Sequence, residues 1–302
     1  MYRHRRVVFG VSSSPFLLGG TIEYYLEKVA QQVETEEEKD IIRQLRRSFY
    51  VDNCVTSVNS RSEAVAFEAV AKRVMAEGKF DLRGWEYTNQ VETSRFTPIL
   101  GLLWDKEQDT LKLTPTLLEL HEKSKITKRH ILSAAQKVFD PIGVSSPISL
   151  KPKILLQKLW SCKISWDDEV PEEIKSEFNN WQQQLPWLKK LCIPRWAFGP
   201  NEDKIMFHIF VDASQEAYAA TIFAKTETRE NIYVQLIQAK SRVAPIVKIT
   251  IPRLELLAAT IGIRLWDSIK DAEDFEKAQV FFWSDSATVL AWIKRIDRGT
   301  SL

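Results

Sequence analysis

Two short apolar runs in the last third of this 302-residue chain each end on an aspartate. Met206-Phe-His-Ile-Phe-Val211 leads into Asp212, and Val280-Phe-Phe-Trp-Ser284 leads into Asp285. Runs of this length and composition read as buried strands. A carboxylate at the tip of such a strand is expensive unless something positive meets it. Between the two runs a helix is predicted over 252 to 269, opened by Thr250-Ile-Pro252, with Glu255 in its first turn. That helix carries Leu254, Leu257, Ala258, Ile261 and Leu265 on one face. Glu255 is expected to the side of this stripe, beside the small residues Ala259 and Gly262. Two strand tips and a helix start invite a shared divalent cation.

Each carboxylate also has an ordinary reading. Glu255 complements a helix dipole, worth about 0.3–1 kcal/mol; Asp285-Ser286 caps the next helix; Asp212 opens a turn. Taken together these readings weaken. Two negative charges about 4 Å apart at an effective dielectric of about 20 repel by roughly 4 kcal/mol. A fold that brings them together must neutralise one by protonation or hold a cation between them.

Around this constellation the pattern is α+β or α/β. Three strand-like runs (205 to 211, 217 to 224, 233 to 239) precede helix 252 to 269, strand 280 to 284 and helix 287 to 295, an order that builds a layered sheet. Upstream, a helix is expected from about Thr21, and a charged helical face over Glu34 to Arg47. Ser48 to Val58 reads as a hairpin turning at Asp52-Asn53, and a helix follows from Ser62 to Glu77. Phe80 to Arg83 and Pro98 to Trp104 read as strands, with a second hairpin near Asp105 to Thr110 returning through Leu111 to Leu113. Helices are expected over Thr127 to Phe139, stopped by Asp140-Pro-Ile-Gly143, over Lys151 to Trp160, and after Pro171; Ser145 to Pro147 reads as loop. The Pro/Trp-rich stretch from Leu185 to Trp196, closed by Gly199-Pro200, is the expected domain boundary, and the abrupt end at Leu302 suggests a fragment.

With 44% hydrophobic and 27% charged residues the chain is globular rather than disordered. A net charge of +2 means that nucleic-acid contact must come from local patches. Arg3 to Arg6, Arg43 to Arg47, Lys123 to Arg129 and Lys294 to Arg298 are such patches, though each alone reads as a solvated helix face. Cys54, Cys162 and Cys192 are too scattered for a disulfide framework or a Cys-x-x-Cys zinc site. No signal-peptide core or membrane-spanning run is legible, so no membrane partner is expected, and a reducing compartment, cytoplasm or nucleus, fits.

Four motifs in order carry a resemblance: Phe210-Val-Asp-Ala-Ser214 with Ala217-Tyr-Ala-Ala220; Ala239-Lys-Ser-Arg-Val-Ala-Pro245; Thr250-Ile-Pro-Arg-Leu-Glu-Leu256; and Trp283-Ser-Asp-Ser286 with Val289-Leu-Ala-Trp-Ile293. They resemble the ribonuclease H region of BEL/Pao-type retrotransposon polyproteins. Phe9 to Phe16 is similar to the loop and helix lining the template site of a reverse transcriptase palm, and Tyr50-Val-Asp-Asn53 to its YxDD turn, with Asn53 where the family has a second aspartate. Leu100 to Asp105, Phe139 to Gly143 and Ile154 to Trp160 also resemble BEL/Pao elements. The resemblance implies an incomplete palm over 1–120, a helical connection over 121–200 and a truncated ribonuclease H-like domain, a mixed sheet with helices, over 201–302. It implies Asp212, Glu255 and Asp285 as catalytic, metal-binding carboxylates, with Asp212 bridging two Mg²⁺ (or Mn²⁺) ions and the others holding one each. Tyr50, Asp52 and Asn53 would form the polymerase-like turn, Asp52 being a metal ligand there. The implied partners are an RNA–DNA hybrid or other nucleic acid and the remainder of the polyprotein. A ribonuclease H adds a fourth acidic residue later than Asp285, a role that Asp297 does not fill. The chain as given is therefore expected to be weakly active or inactive.

Two other readings stay open. Pao-type segments are also catalogued as a retrotransposon peptidase, and Asp285-Ser-Ala287 is a local match to an aspartic peptidase motif. The chain also fits a non-catalytic remnant that retains affinity for nucleic acid.

Overall fold

A computed structural model describes residues 10–90, 94–114, 125–198, 205–270, 275 and 278–296. Chain contacts divide it into two compact units, Met1–Tyr87 and Thr88–Leu302. The Arg3 to Arg6 patch, Gly199-Pro200 and Asp297 lie outside the described residues.

The first unit is built on helices α1 (Ser14–Gln32), α2 (Glu36–Arg47) and α3 (Arg61–Glu77), with the two-residue strands β1 (Phe49–Tyr50) and β2 (Asn53–Cys54) between the last two. α2 carries Glu36, Glu37 and Glu38 in its first turn and Arg46 and Arg47 in its last, matching both ends of the helix dipole. α3 is capped by Ser60, whose side chain accepts from the Glu63 N–H. Apolar spacing at Ile22 and Leu26, Ile42 and Leu45, and Phe67, Ala71, Val74 and Met75 brings the three helices onto one core. Phe80 to Arg83 is not a strand. Among the described residues it pairs with no strand, and Phe80 and Leu82 instead pack their side chains against that core.

In the second unit a small antiparallel sheet has the order β3 (Phe96–Ile99), β4 (Leu102–Asp105), β5 (Thr110–Leu113), β6 (Ile193–Pro194). Pro98 to Trp104, expected as one strand, is a tight hairpin. Leu100 and Gly101 have φ of 47° and 82°, the paired left-handed conformations of a two-residue hairpin turn. Gly101 is further required because a Cβ there would lie 2.3 Å from the Phe139 ring. Helices α4 (Lys128–Lys137), α5 (Ser146–Trp160) and α6 (Glu172–Gln184) and a 3₁₀ turn at Leu185–Lys190 share a core with Leu102 and Leu113 of this sheet. α5 begins at Ser146, earlier than the loop expected there, because Pro147 in the first turn forfeits no hydrogen bond. The Pro/Trp-rich stretch is not a loose linker: Leu185 and Leu188 are buried and Ile193 pairs with Leu111.

The second sheet has the order β10-β7-β8-β9, from β7 (Ile205–Ala213), β8 (Ala217–Glu227), β9 (Ile232–Val243) and β10 (Gln279–Trp283). β7, β8 and β9 form an antiparallel meander, and β10 joins β7 in parallel, after the crossover helix that a parallel pair requires. That helix, α7 (Ile251–Lys270), packs over β7 and β8, with Ala258, Ile261 and Leu265 against Phe207, Ile209, Val211, Ala220 and Ile222. α8 (Ala287–Ile296) follows β10. The fold is therefore a mixed α+β arrangement. No described helix is long and apolar enough to cross a membrane.

Candidate metal centre

The register of the parallel pair sets the spacing of the aspartates. β10 meets β7 with Phe281 beside His208 and Trp283 beside Phe210; two residues further on, the chains reach Asp285 and Asp212. The alignment is reinforced on the sheet face away from α7. There the His208 and Phe281 rings stack at 5.1 Å, and the Phe210 and Trp283 rings at 6.0 Å. Trp283 also donates from Nε1 to His208 Nδ1 at 3.1 Å. Cross-strand pairs of this kind hold register.

Glu255 arrives from the helix above. Gly262, two turns further along α7, lets the helix settle on β7, since a Cβ there would lie 2.8 Å from Val211 Cγ1 and 3.1 Å from Ile209 Cγ2. The sequence reading placed Glu255 in the first turn and beside the apolar stripe. In the structure α7 starts at Ile251, its first turn holds no acid, and Glu255 is 6% exposed on the buried face. Complementing the helix terminus does not explain a carboxylate held there, because the dipole effect fades within one turn.

One carboxylate oxygen from each of Asp212, Glu255 and Asp285 lies within 4.8 Å of the others, with Glu255 buried and both aspartates exposed. Burial pushes the Glu255 carboxyl above its ordinary value, the charges of Asp212 and then Asp285 push it further, and the Ala213 N–H offsets this in part. The Ala213 N–H also donates to Asp212 Oδ1 at 2.8 Å. Glu255 Oε2 is buried without a hydrogen-bond partner. A buried carboxyl with an unpartnered oxygen and two like charges beside it is costly as it stands. Three hard oxygen donors converging, with no cationic side chain paired to them among the described residues, suit Mg²⁺ or Mn²⁺.

The other expected site residues are arranged differently. Tyr50 pairs with Asn53 across the β1–β2 turn, where Val51 takes φ 59°; the turn is thus Val51-Asp52 rather than Asp52-Asn53. Asn53 Nδ2 donates to Asp52 Oδ1 at 3.2 Å, and Tyr50 is 65% exposed. Among the described residues Asp52 belongs to no group of three potential ligands. Asp285-Ser-Ala287 runs straight into α8, and Ser286, rather than Asp285, accepts from the Val289 N–H at 3.4 Å. The aromatic pairs beneath the aspartates carry no motif of their own, although strand alternation puts 208, 210 and 212 on one face.

Comparison with known proteins gives a consistent placement. Residues 127–286 match the family model described as the Pao retrotransposon-like RNaseH-like domain. No curated protein matches the chain. Among solved structures it resembles the foamy viral protease-reverse transcriptase in complex with dsDNA (TM-score 0.51, 18% identity), covering 98% of this chain and 54% of that one. A second structure, that protein's dRH form with ds DNA, gives a TM-score of 0.52 at 15% identity and covers 96% of this chain and 44% of that one. The chain thus spans about half the length of these structures, and at this identity the likeness is one of fold.

Proposed function

The chain belongs to the Pao retrotransposon-like RNaseH-like family, and from that premise we propose that its carboxylate cluster hydrolyses the RNA strand of an RNA–DNA hybrid with two divalent cations. The observation that carries this reading is the convergence of three carboxylate oxygens within 4.8 Å, one of them from a buried Glu255 whose Oε2 has no hydrogen-bond partner. Asp212, Glu255 and Asp285 would together hold the Mg²⁺ or Mn²⁺ ions. Bound cations supply charge neutralisation and Lewis acidity toward an attacking water and the leaving oxygen of a phosphodiester. The chain's own contribution is positional. The β7–β10 register fixes the two aspartates, and close packing of α7 at Gly262 fixes the height of Glu255. The exposed aspartates leave one side open to a polymeric substrate, while Glu255 closes the other.

We assign 201–302 to this nuclease-like region, 121–200 to a helical connection and 1–120 to a palm-derived segment. The separate hydrophobic cores of the helical bundle and of the β7–β10 sheet support the second boundary. We give the Tyr50 to Asn53 turn no catalytic role, since Asn53 leaves it a single carboxylate. The test is cleavage of a labelled RNA–DNA hybrid in Mg²⁺ by the full chain and by Asp212→Asn. The reading expects at most weak RNA-strand cleavage, and the substitution abolishes it together with Mg²⁺-dependent stabilisation. Turnover unchanged in Asp212→Asn would overturn it.

A further inference from the structure

Asp140-Pro-Ile-Gly143 stops a helix in the sequence, but in the structure it also reaches the sheet that bears the carboxylates. The Asp140 side chain folds the loop on itself. Its Oδ1 accepts from the Gly143 N–H at 2.7 Å, and its Oδ2 accepts from the Ser145 N–H and, at 2.6 Å, from the Ser145 hydroxyl. Side-chain to backbone bonds of this kind fix the shape of a short loop. With both N–H groups turned inward, the loop presents the Ile142 carbonyl, which accepts from the Ala239 N–H at 2.7 Å. Gly143 lies against the same residue of β9. It has φ 88°, and a Cβ there would lie 2.0 Å from Ala239 O, so only glycine permits the approach.

β9 is an edge strand paired on its inner side with β8, and the loop covers part of its outer side. α5, which follows the loop, lies along the same strand and continues the cover, with Gln157 Nε2 donating to Ala244 O. The covered stretch is the end of the sheet that holds Asp212. Ala239 pairs with Thr221, and Thr221 with Phe210; Ser241 pairs with Ala219, and Ala219 with Asp212. At the far end of β9, Ile232 and Val234 are 64% and 59% exposed. An open edge invites pairing with another chain, and the helical connection closes it where the carboxylates lie.

The character of the junction is the second observation. The connection and the sheet each bury an apolar cluster of their own. The linker between them contributes Phe198 to the sheet's cluster, whereas the contact at β9 is made by backbone and amide groups. Without a large apolar interface, two such bodies are expected to move apart unless something fastens them.

We propose that the loop from Asp140 to Ser145 is a latch: it caps the edge of β9 and joins the helical connection and the carboxylate-bearing sheet into one cooperative unit. The proposal does not depend on the nucleic-acid-cleaving reading.

The test is native-state hydrogen exchange on the full chain, with Leu159→Ala placing a cavity in the connection's core. In an otherwise wild-type chain, Leu159→Ala should speed exchange at core amides of α5 and of β7 by similar factors, as within one cooperative unit. Gly143→Ala should by itself speed exchange of the Ala239 amide by about tenfold or more. In the Gly143→Ala background, the effect of Leu159→Ala should stay within α4, α5 and α6. Asp140→Asn, which removes one acceptor from the loop, should give the same pattern more weakly, and replaces Gly143→Ala if that variant does not fold. The latch is overturned if the Ala239 amide keeps its protection in these loop variants. It is also overturned if β7 amides ignore Leu159→Ala in the otherwise wild-type chain, or respond to it equally with and without the loop substitution.

Discussion

Asp105 and Glu255 are both nearly closed off from solvent, at 0% and 6% exposure, yet their surroundings push the two carboxyls in opposite directions. Asp105, at the end of β4, accepts from Arg95 Nε and Nη2 at 3.0 and 2.8 Å, from Lys112 Nζ at 3.0 Å and from the Gln108 N–H at 3.3 Å. Arg95 first, then Lys112, hold its carboxyl far below the ordinary range. Glu255 has two aspartates for company and an oxygen with no partner, and its carboxyl is raised. The chain builds full compensation for one buried carboxylate from its own side chains. For the other it supplies no side chain, only the backbone N–H of Ala213. A buried charge left uncompensated by its own fold marks a place where a ligand is meant to complete the structure.

The comparison breaks most readily by mutation. Asp105→Ala should cost about 2 kcal/mol in urea unfolding, because it leaves Lys112 and the Gln108 N–H without their acceptor and Arg95 with Glu107 alone. In EDTA, Glu255→Gln should instead stabilise by about 1 kcal/mol, the repulsion between charges near a solvated surface. If both substitutions destabilise equally, the contrast is false. Next in size, saturating Mg²⁺ should raise the melting temperature of the wild type and of the Asp105 variant, by about 1–3 kcal/mol in stability at 10 to 100 times the dissociation constant. Asp212→Asn should show no such gain in a thermal scan.

pH sharpens the contrast further. A depressed carboxyl contributes stability that is present above its unfolded value and lost as pH falls through the folded one; for Asp105 that loss lies below 3.8. A raised carboxyl does the reverse. The Glu255 penalty is absent below 4.5, develops as pH rises through that value, and is complete above its folded value. In EDTA the stability difference between Glu255→Gln and wild type should therefore open only above about pH 4.5 and widen upward. A difference independent of pH would assign the effect to packing.

How far the sequence discloses these two sites follows from how local their causes are. Asp212 and Asp285 are legible because each ends an apolar run, and both runs form strands in the expected places. Glu255 is legible as a member of the set but not in its depth. Its burial depends on where α7 begins and on Gly262 meeting Val211 across the sheet, which no local pattern displays. The Asp105 network is invisible in the same way: Arg95 and Lys112 become its partners only once the Leu100-Gly101 turn and the β4–β5 hairpin fold back. That turn is itself hidden in the sequence because apolar residues on both sides of Gly101 imitate one continuous strand. Phe80 and Leu82 likewise look like strand residues because they are apolar, although what they serve is the helical core.

A smaller effect isolates that geometry. Gly262→Ala should cost about 1 kcal/mol, crowding against β7 being partly offset by better helix propensity. It should weaken Mg²⁺ binding more than it weakens the fold, as read by calorimetric titration, since it lifts Glu255 from the aspartates. Equal losses in both would leave Gly262 a packing residue only.

The most direct measurement is anomalous scattering from crystals of the full chain soaked in Mn²⁺. The account predicts ion density between Asp212, Glu255 and Asp285, absent from Asp212→Asn crystals treated in the same way. Density confined to other acidic surfaces, or none between these three side chains at saturating Mn²⁺, would contradict it.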